Sequence, residues 1–291
     1  MSEAAAARTI AFQGQPGAYS DLACRRVFLK MTTLPCAAFE DAFAAVREGQ
    51  AALGMIPIEN SVAGRVADIH HLMPESGLFI IGEHFERVNH HLLGLPGATL
   101  DTIRTVRSHV HALSQCRNFI RAHGLTPVVA ADTAGSAAEI KERGDKSIAA
   151  IASELAGQIY GLVSLAENIE DAEHNTTRFL IMSREPQWAS ADRPTVTTFV
   201  FSVRNVPAAL YKAMGGFATN GVNMTKLESY MVGGRFAATQ FYADVEAHPD
   251  NRPLKLALEE LRFFSTEVKI LGVYPAHELR IAARQEERGE D

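Results

Sequence analysis

The sequence predicts an α/β chain in two parts, a larger and mostly parallel α/β unit at residues 8–183 and a smaller βαββαβ unit at 195–277. Three observations carry this. Apolar runs such as Leu53 to Ile58 and Ile148 to Ile151 lack polar alternation, as strands covered on both faces require. These runs alternate with helical segments that stop at glycines. A polar, proline-containing stretch from Arg184 to Pro194 then introduces elements in a different order.

In the first part, Thr9 to Gln13 is a short apolar strand, Gly14 and Gly17 flank a turn, and Ser20 or Asp21 can cap a helix running through Val27-Phe28. Asp41 to Glu48 is a helix stopped at Gly49, before the strand Leu53 to Ile58. Strand Phe79-Ile80-Ile81 follows, then a helix from His111 to His123 stopped by Gly124, and a strand at Val128 to Ala131. A helix after Thr133, the run Ile148 to Ile151 and a helix from Glu154 to Tyr160 before Gly161 complete the series. Past the linker at 184–194, Thr197 to Val203 is a strand, Pro207 to Thr219 a helix with proline at its start, and Val222 to Tyr230 a second strand. Gly233-Gly234 turns into strand Phe236 to Val245, Pro253 to Phe264 is an amphipathic helix, and Val268 to Val273 is the last strand. This order is that of the ferredoxin-like sandwich. Residues 278–291 are a charged tail, of which Ala282 to Asp291 is expected as a solvated, frayed end.

With 291 residues, 47% of them hydrophobic and 21% charged, the chain can build two or three domains with substantial cores. A net charge of -6 argues against nucleic acid or an anionic membrane as a partner, so any anion site must be local. Cys24, Cys36 and Cys116 are too few and too scattered for a disulfide framework or paired zinc spacing, and are expected reduced and buried. The histidines include His70-His71, His90-His91 and His109 with His111. Adjacent histidines point apart and no carboxylate cluster accompanies them, so no metal is expected. The first eight residues lack a basic region followed by an apolar core, and no apolar run approaches the roughly 18 residues of a membrane helix. A cytoplasmic setting is the expectation.

In open α/β sheets, ligands sit beyond the carboxyl ends of strands, where helix starts present amides to anions. Gly14-Gln15-Pro16-Gly17-Ala18-Tyr19-Ser20 joins the first strand to its helix but lacks the lysine of a phosphate-binding loop and the spacing of a dinucleotide fingerprint. Pro57-Ile58-Glu59-Asn60-Ser61 ends an apolar strand with three polar side chains, which suits a site or an Asx turn. Ser108-His109 precedes the helix containing Ser114 and Gln115. Asp132-Thr133-Ala134-Gly135-Ser136-Ala137 sets small residues at a helix start, as an anion nest or as simple capping. Asn175-Thr176-Thr177-Arg178-Phe179 places a neutral proton donor beside a permanent cation. The Thr177 hydroxyl can offer one proton, and the Arg178 guanidinium suits a carboxylate. This is equipment for a small acidic substrate.

Taken jointly and in this order, Gly14 to Ser20, Pro57 to Ser61, Ser108-His109 with Gln115-Cys116, Asp132 to Ala137, Ala149 to Gly161, and Glu170-Asp171 with Asn175 to Phe179 resemble a prephenate dehydratase. Leu210-Tyr211-Lys212 and Asn223 to Ser229 resemble effector-binding segments of the ACT regulatory domain fused to it. The resemblance spans Thr9 to about His277 and implies a two-lobed, periplasmic-binding-protein-like (type II) catalytic domain. Its lobe 1 would take about 8–78 and 171–183, its lobe 2 about 79–170, with the active site in the cleft between them. The implied reaction is decarboxylative dehydration of prephenate to phenylpyruvate, in phenylalanine biosynthesis. Aromatisation drives it, so no cofactor is expected.

In that chemistry Thr177 donates to the departing hydroxyl as a general acid or hydrogen-bond donor. Glu59 either orients Thr177 or partners a backbone amide. Substrate carboxylates would fall to Arg178, to Asn60 and Ser61, and to the helix start at Thr133, Gly135 and Ser136, with Ser20, Ser108 and Phe179 also at the binding site. Arg178 stays open between carboxylate ligand and brace, because adjacent strand residues point to opposite faces. Phenylalanine is expected as an effector at Ala209, Leu210, Asn223, Met224, Thr225, Glu228 and Ser229, between two ACT domains of a homodimer or homotetramer. The family commonly shows Gly-Ala-Leu and Glu-Ser-Arg-Pro, where this chain has Ala208-Ala209-Leu210 and Glu228-Ser229-Tyr230-Met231, which weakens that expectation. In the Ser-His-Pro-Gln pattern it carries Val110 and His111. Arogenate, with an amino group in place of the keto oxygen, is the alternative substrate, and a non-catalytic small-acid sensor the alternative function.

Overall fold

The computed structural model describes residues 3–231 and 238–289, so the expected Gly233-Gly234 turn lies outside the described residues. The chain begins with α1 (Glu3–Ala6), β1 (Thr9–Gln13), α2 (Tyr19–Val27), β2 (Thr32–Cys36), α3 (Phe39–Arg47), β3 (Leu53–Asn60), β4 (Gly64–Arg65) and α4 (Ala67–Leu72). It continues through β5 (Phe79–Arg87), β6 (His91–Gly94), β7 (Thr105–Ser108), α5 (Val110–Gln115), α6 (Arg117–Ala122), β8 (Thr126–Val129) and α7 (Thr133–Arg143). Then come β9 (Ile148–Ala152), α8 (Glu154–Tyr160), β10 (Val163–Ala166) and β11 (Thr176–Ser183). The remainder is β12 (Thr195–Val203), α9 (Ala209–Thr219), β13 (Met224–Met231), β14 (Ala238–Val245), α10 (Arg252–Phe264), β15 (Ser265–Pro275) and α11 (Glu278–Arg288).

Two compact units result. One takes the residues up to Val66 with Phe85–Phe179, the other Ala67–His84 with the residues from Leu180 on. The segments 67–78 and 180–183, expected in lobe 1, and the linker at 184–194 therefore group with the C-terminal unit.

In the first unit, one lobe rests on the parallel strands β2-β1-β3, with Thr9 opposite Thr32 and Ile10 opposite Leu53. Ile10, Phe12, Met55, Ile56 and Ile58 are buried against α2 and α3. Strand β2 gave no apolar run because it is an edge strand and contains Pro35. The second lobe has strand order β10-β6-β9-β7-β8. Helices α5, α6 and α7 connect β7, β8 and β9, which run parallel, whereas β6 is entered and left without a crossover helix and pairs antiparallel with β9 and β10. Both faces of this sheet are covered. Leu92, Val106 and Ile151 meet Leu113 and Ile120 on one side, while Leu93, Ala150 and Ala152 meet Ala134 and Ile140 on the other. That explains the runs without alternation.

Local structure departs from expectation in two places here. Helix α2 starts at Tyr19, and its N-cap Ala18 makes no side-chain cap; Asp21 lies inside the first turn, accepting the Gly17 N–H at 2.9 Å and pairing with Arg25. The single helix expected over His111 to His123 is broken at Cys116. The Asn118 N–H donates to the Asp171 carboxylate at 3.1 Å, and the Gln115 carbonyl accepts from Asp171 N, so a neighbouring segment takes groups the helix ladder would use. The turn before α2 docks on α8. Gly17, at φ +91°, would place an added Cβ 2.7 Å from Ala156 Cα, its carbonyl accepts the Ser153 hydroxyl at 2.5 Å, and Pro16 accepts from Tyr160.

The second unit holds the antiparallel order β13-β14-β12-β15, the βαββαβ arrangement read from the sequence. Helices α9 and α10 cover one face, setting Phe217 and Leu258 against Phe199, Phe201 and Phe241. On the same sheet Thr198 donates to Asp244 at 2.6 Å beside the Tyr274 hydroxyl, all three fully buried. Strand β5 joins β15 in parallel, Ile80 opposite Gly272; an added Cβ on Gly272 would fall 2.3 Å from the Ile80 carbonyl oxygen. Helix α9 begins at Ala209 rather than Pro207, because Ala208 sits in the left-handed region at φ 60°. The expected frayed end is helix α11. His277 caps it, and Arg280 pairs with Glu83 at 2.7 Å and Glu246 at 3.5 Å, while Arg284 pairs with Glu246 at 2.6 Å. Among the tail's charges, Arg280 and Arg284 are ion-pair partners.

Candidate active site

The end of β3 and the start of β11 meet around Asn60. Its Oδ1 accepts the N–H groups of Val62 at 2.9 Å and Ala63 at 2.7 Å, the Asx turn that the motif allowed. This fixes the amide with Nδ2 facing β11, where it donates to Thr177 Oγ1 at 3.0 Å and Asn175 Oδ1 at 2.8 Å. The Asx turn and the bond to Thr177 thus use the two ends of one amide. A hydroxyl that accepts one bond directs its own proton elsewhere, so Thr177 is set up as a donor.

Arg178 is 2% exposed, and its Nη1 donates to Glu59 Oε1 at 2.8 Å. Strand alternation separates it from Thr177 and places Glu59 on the guanidinium. Phe179 is a core residue at 1% exposure. Ser61 donates to the His174 carbonyl at 2.6 Å and accepts from Thr176 N, which ties β3 to β11. Ser108 is fully buried and donates to the Ile151 carbonyl at 2.6 Å. At the start of α7, Asp132 accepts the Gly135 N–H at 2.5 Å and its carbonyl accepts the Ser136 hydroxyl at 2.7 Å. The amide expected to face a substrate anion is therefore engaged by the helix's own cap, with Thr133 half-buried beside it. Ser20 lies buried in the first turn of α2.

Residues outside the expected set complete the arrangement. Asn175 Nδ2 donates to Gln115 Oε1 at 3.1 Å, His90 Nε2 lies 2.9 Å from the same oxygen, and His90 Nδ1 is 3.0 Å from the Tyr19 hydroxyl. Burial is the main cause that lowers the His90 pKa, against the Gln115 bond, and it raises that of Tyr19 well above the ordinary value. Gln115 and Asn175 stood within the family motifs; Tyr19 did too, yet nothing local marked its bond to His90. Cys116, adjoining, is free and buried, and burial pushes its thiol pKa far up, as for Cys24.

In the second unit the expected effector residues lie at the start of α9 and on β13. Ala209, Leu210 and Met224 pack against the aromatic core. A register shift between Met224 and Lys226 interrupts the alternation along β13, so Met224, opposite Val245, and Ser229, opposite Phe241, share the face of the aromatic core, whereas Glu228, opposite Tyr242, lies on the other; Asn223 immediately precedes the strand.

The family model for prephenate dehydratase matches residues 10–187. The chain belongs to the prephenate dehydratase family. A bifunctional N-acyl-homoserine lactone acylase/prephenate dehydratase of Komagataeibacter europaeus is 57% identical over 274 residues, 94% of this chain and 98% of that protein. A chloroplastic arogenate dehydratase/prephenate dehydratase of Arabidopsis thaliana is 40% identical over 280 residues, 91% of this chain and 71% of that one. The solved prephenate dehydratase of Arthrobacter aurescens in complex with L-Phe superposes with a TM-score of 0.85 at 31% identity, covering 92% of this chain and 90% of that one. Membership in the prephenate dehydratase family makes the chain a lyase by descent. Among the described residues, no group of three or more His, Cys, Asp or Glu could hold a metal, and no helix is long and apolar enough to cross a membrane.

Proposed function

We propose that Thr177 is the proton donor in the decarboxylative dehydration of prephenate to phenylpyruvate. The substrate loses carbon dioxide from its ring carboxylate, the electron pair of that bond enters the ring, and the ring hydroxyl leaves as water with the proton supplied. The carrying observation is the Asn60 to Thr177 bond, which leaves the threonine proton for the departing oxygen. Threonine has little intrinsic acidity, so a fixed geometry must supply the effect. Arg178 acts as a brace through Glu59 rather than as a carboxylate ligand, a role its burial supports. Thr177→Ala should fold normally and lower turnover roughly 100-fold or more, measured as phenylpyruvate formation. Near-normal turnover would remove the assignment.

Arogenate would meet the same donor, and a comparison of both substrates decides the preference. Residues 195–277 are assigned as an ACT domain that binds phenylalanine at Ala209, Leu210 and the β13 segment, in a cytoplasmic homodimer or homotetramer formed through edge strand β13. The relative solved with L-Phe supports the effector; unchanged turnover at saturating phenylalanine would oppose it. A second reading, hydrolysis of N-acyl homoserine lactones, is favoured by the name of the 57% identical relative. A cavity of about 470 Å³ lined by Leu113, Ile120, Leu125 and Val129 offers the apolar wall an acyl chain needs. Absence of released homoserine lactone after incubation would discard it.

A further inference from the structure

We propose that His90 and Tyr19 are positioning residues for Thr177, acting through Gln115, Asn175 and Asn60. The proposal rests on the reading of Thr177 as proton donor. Bond directions follow from the fixed end of the chain. Two backbone donors hold Asn60 Oδ1, so Nδ2 is its donor toward both Thr177 and Asn175. Asn175 accepts with Oδ1 and must donate with Nδ2, which makes the Gln115 atom facing it an oxygen. His90 Nε2 faces that same oxygen and so carries the proton, leaving Nδ1 toward Tyr19. The tyrosine hydroxyl also lies 2.6 Å from the Asn89 carbonyl.

From Asn60 to His90 each member has one orientation compatible with its partners, and the single Tyr19 proton is shared between two acceptors, His90 Nδ1 and the Asn89 carbonyl. Asn175 and His90 are 1% and 2% exposed, so these bonds form away from solvent. The two donors on Gln115 Oε1 come from opposite ends of the network. Removal of the His90 donor leaves Gln115 held by Asn175 alone and loosens the group that orients Asn60. Tyr19 in turn sets the imidazole plane. Burial keeps both side chains neutral, the state in which the directions above hold.

His90→Leu should lower kcat for phenylpyruvate formation roughly 10- to 100-fold with little change in KM, the signature of a displaced catalytic group rather than lost binding. His90→Gln, which returns an amide donor toward Gln115, should restore most of it. Tyr19→Phe removes only the hydroxyl and should give a smaller fall in kcat, which keeps the test available if His90→Leu fails to fold. In a Thr177→Ala background neither change should lower the residual rate further. The side-chain amide NMR signals of Asn60 and Asn175 should shift in His90→Leu and Tyr19→Phe and return in His90→Gln, with no substrate present. Unmoved amide signals, equal losses in the leucine and glutamine variants, or losses that multiply with Thr177→Ala would overturn the proposal. A wild-type protein that makes no phenylpyruvate refutes the functional reading instead, and the amide shifts still decide the coupling.

Discussion

Asn60 holds Thr177, the proposed proton donor, and Glu59 beside it holds Arg178, the next residue of the same strand. Arg178 is buried with its guanidinium on Glu59. Glu59→Gln keeps the shape but weakens a charge-assisted bond, so it should destabilise the protein by about 1–3 kcal/mol, read from urea midpoints. Arg178→Lys should not substitute, since a point ammonium cannot reproduce the guanidinium geometry. Ala208 offers the opposite case. It adopts a left-handed conformation at φ 60°, at a steric cost of about 1–2 kcal/mol for an L-residue. Ala208→Gly should raise the thermal midpoint, less than the full cost because glycine gains freedom in the unfolded chain.

At the scale of elements, much of the architecture was legible because apolar runs and glycine stops are local signals. The misses have physical causes. Helix 111–123 breaks because Asp171, more than fifty positions away, captures its backbone groups at Gln115 and Asn118. Ser61, Ser108 and Ser136 look like ligands in a strand-end motif, yet each hydroxyl donates to a backbone carbonyl. Thr177 and Asn60 could be singled out from their motifs, whereas the bond between His90 and Tyr19 joins positions 71 apart and left no local trace. The docking of the 14–18 turn on α8 is likewise invisible in sequence. Gly17→Ala would meet both a left-handed backbone and the Ala156 backbone, and should cost about 2–4 kcal/mol in urea unfolding.

Across the whole molecule, acid sensitivity should follow from the histidines. Burial is the main cause of depressed pKa values at His90, His109 and His277. Their unfolded value is about 6.5, so below that pH the unfolded chain binds protons that the folded chain refuses. Stability is then fully present above about pH 6.5, declines as pH falls toward the folded values, and levels off beneath them. Thermal midpoints measured between pH 8 and 5 should fall in that direction; a rise on acidification would contradict the cause given. Carboxylates with depressed pKa, such as Glu139 beside Arg143 and Arg107, extend the decline only at lower pH.

Helix α11 bears on where a gene for this protein can be cut. A chain stopped at His277 would keep every strand and helix of the βαββαβ order, and by sequence it would look like a clean trim of a charged end. It would also strip Arg280 and Arg284 from Glu83, Asp244 and Glu246, carboxylates that lie at or near zero exposure on separate strands and the loop beyond them. Shortened proteins made to isolate the C-terminal unit should therefore retain the final helix, and fusion partners belong beyond it.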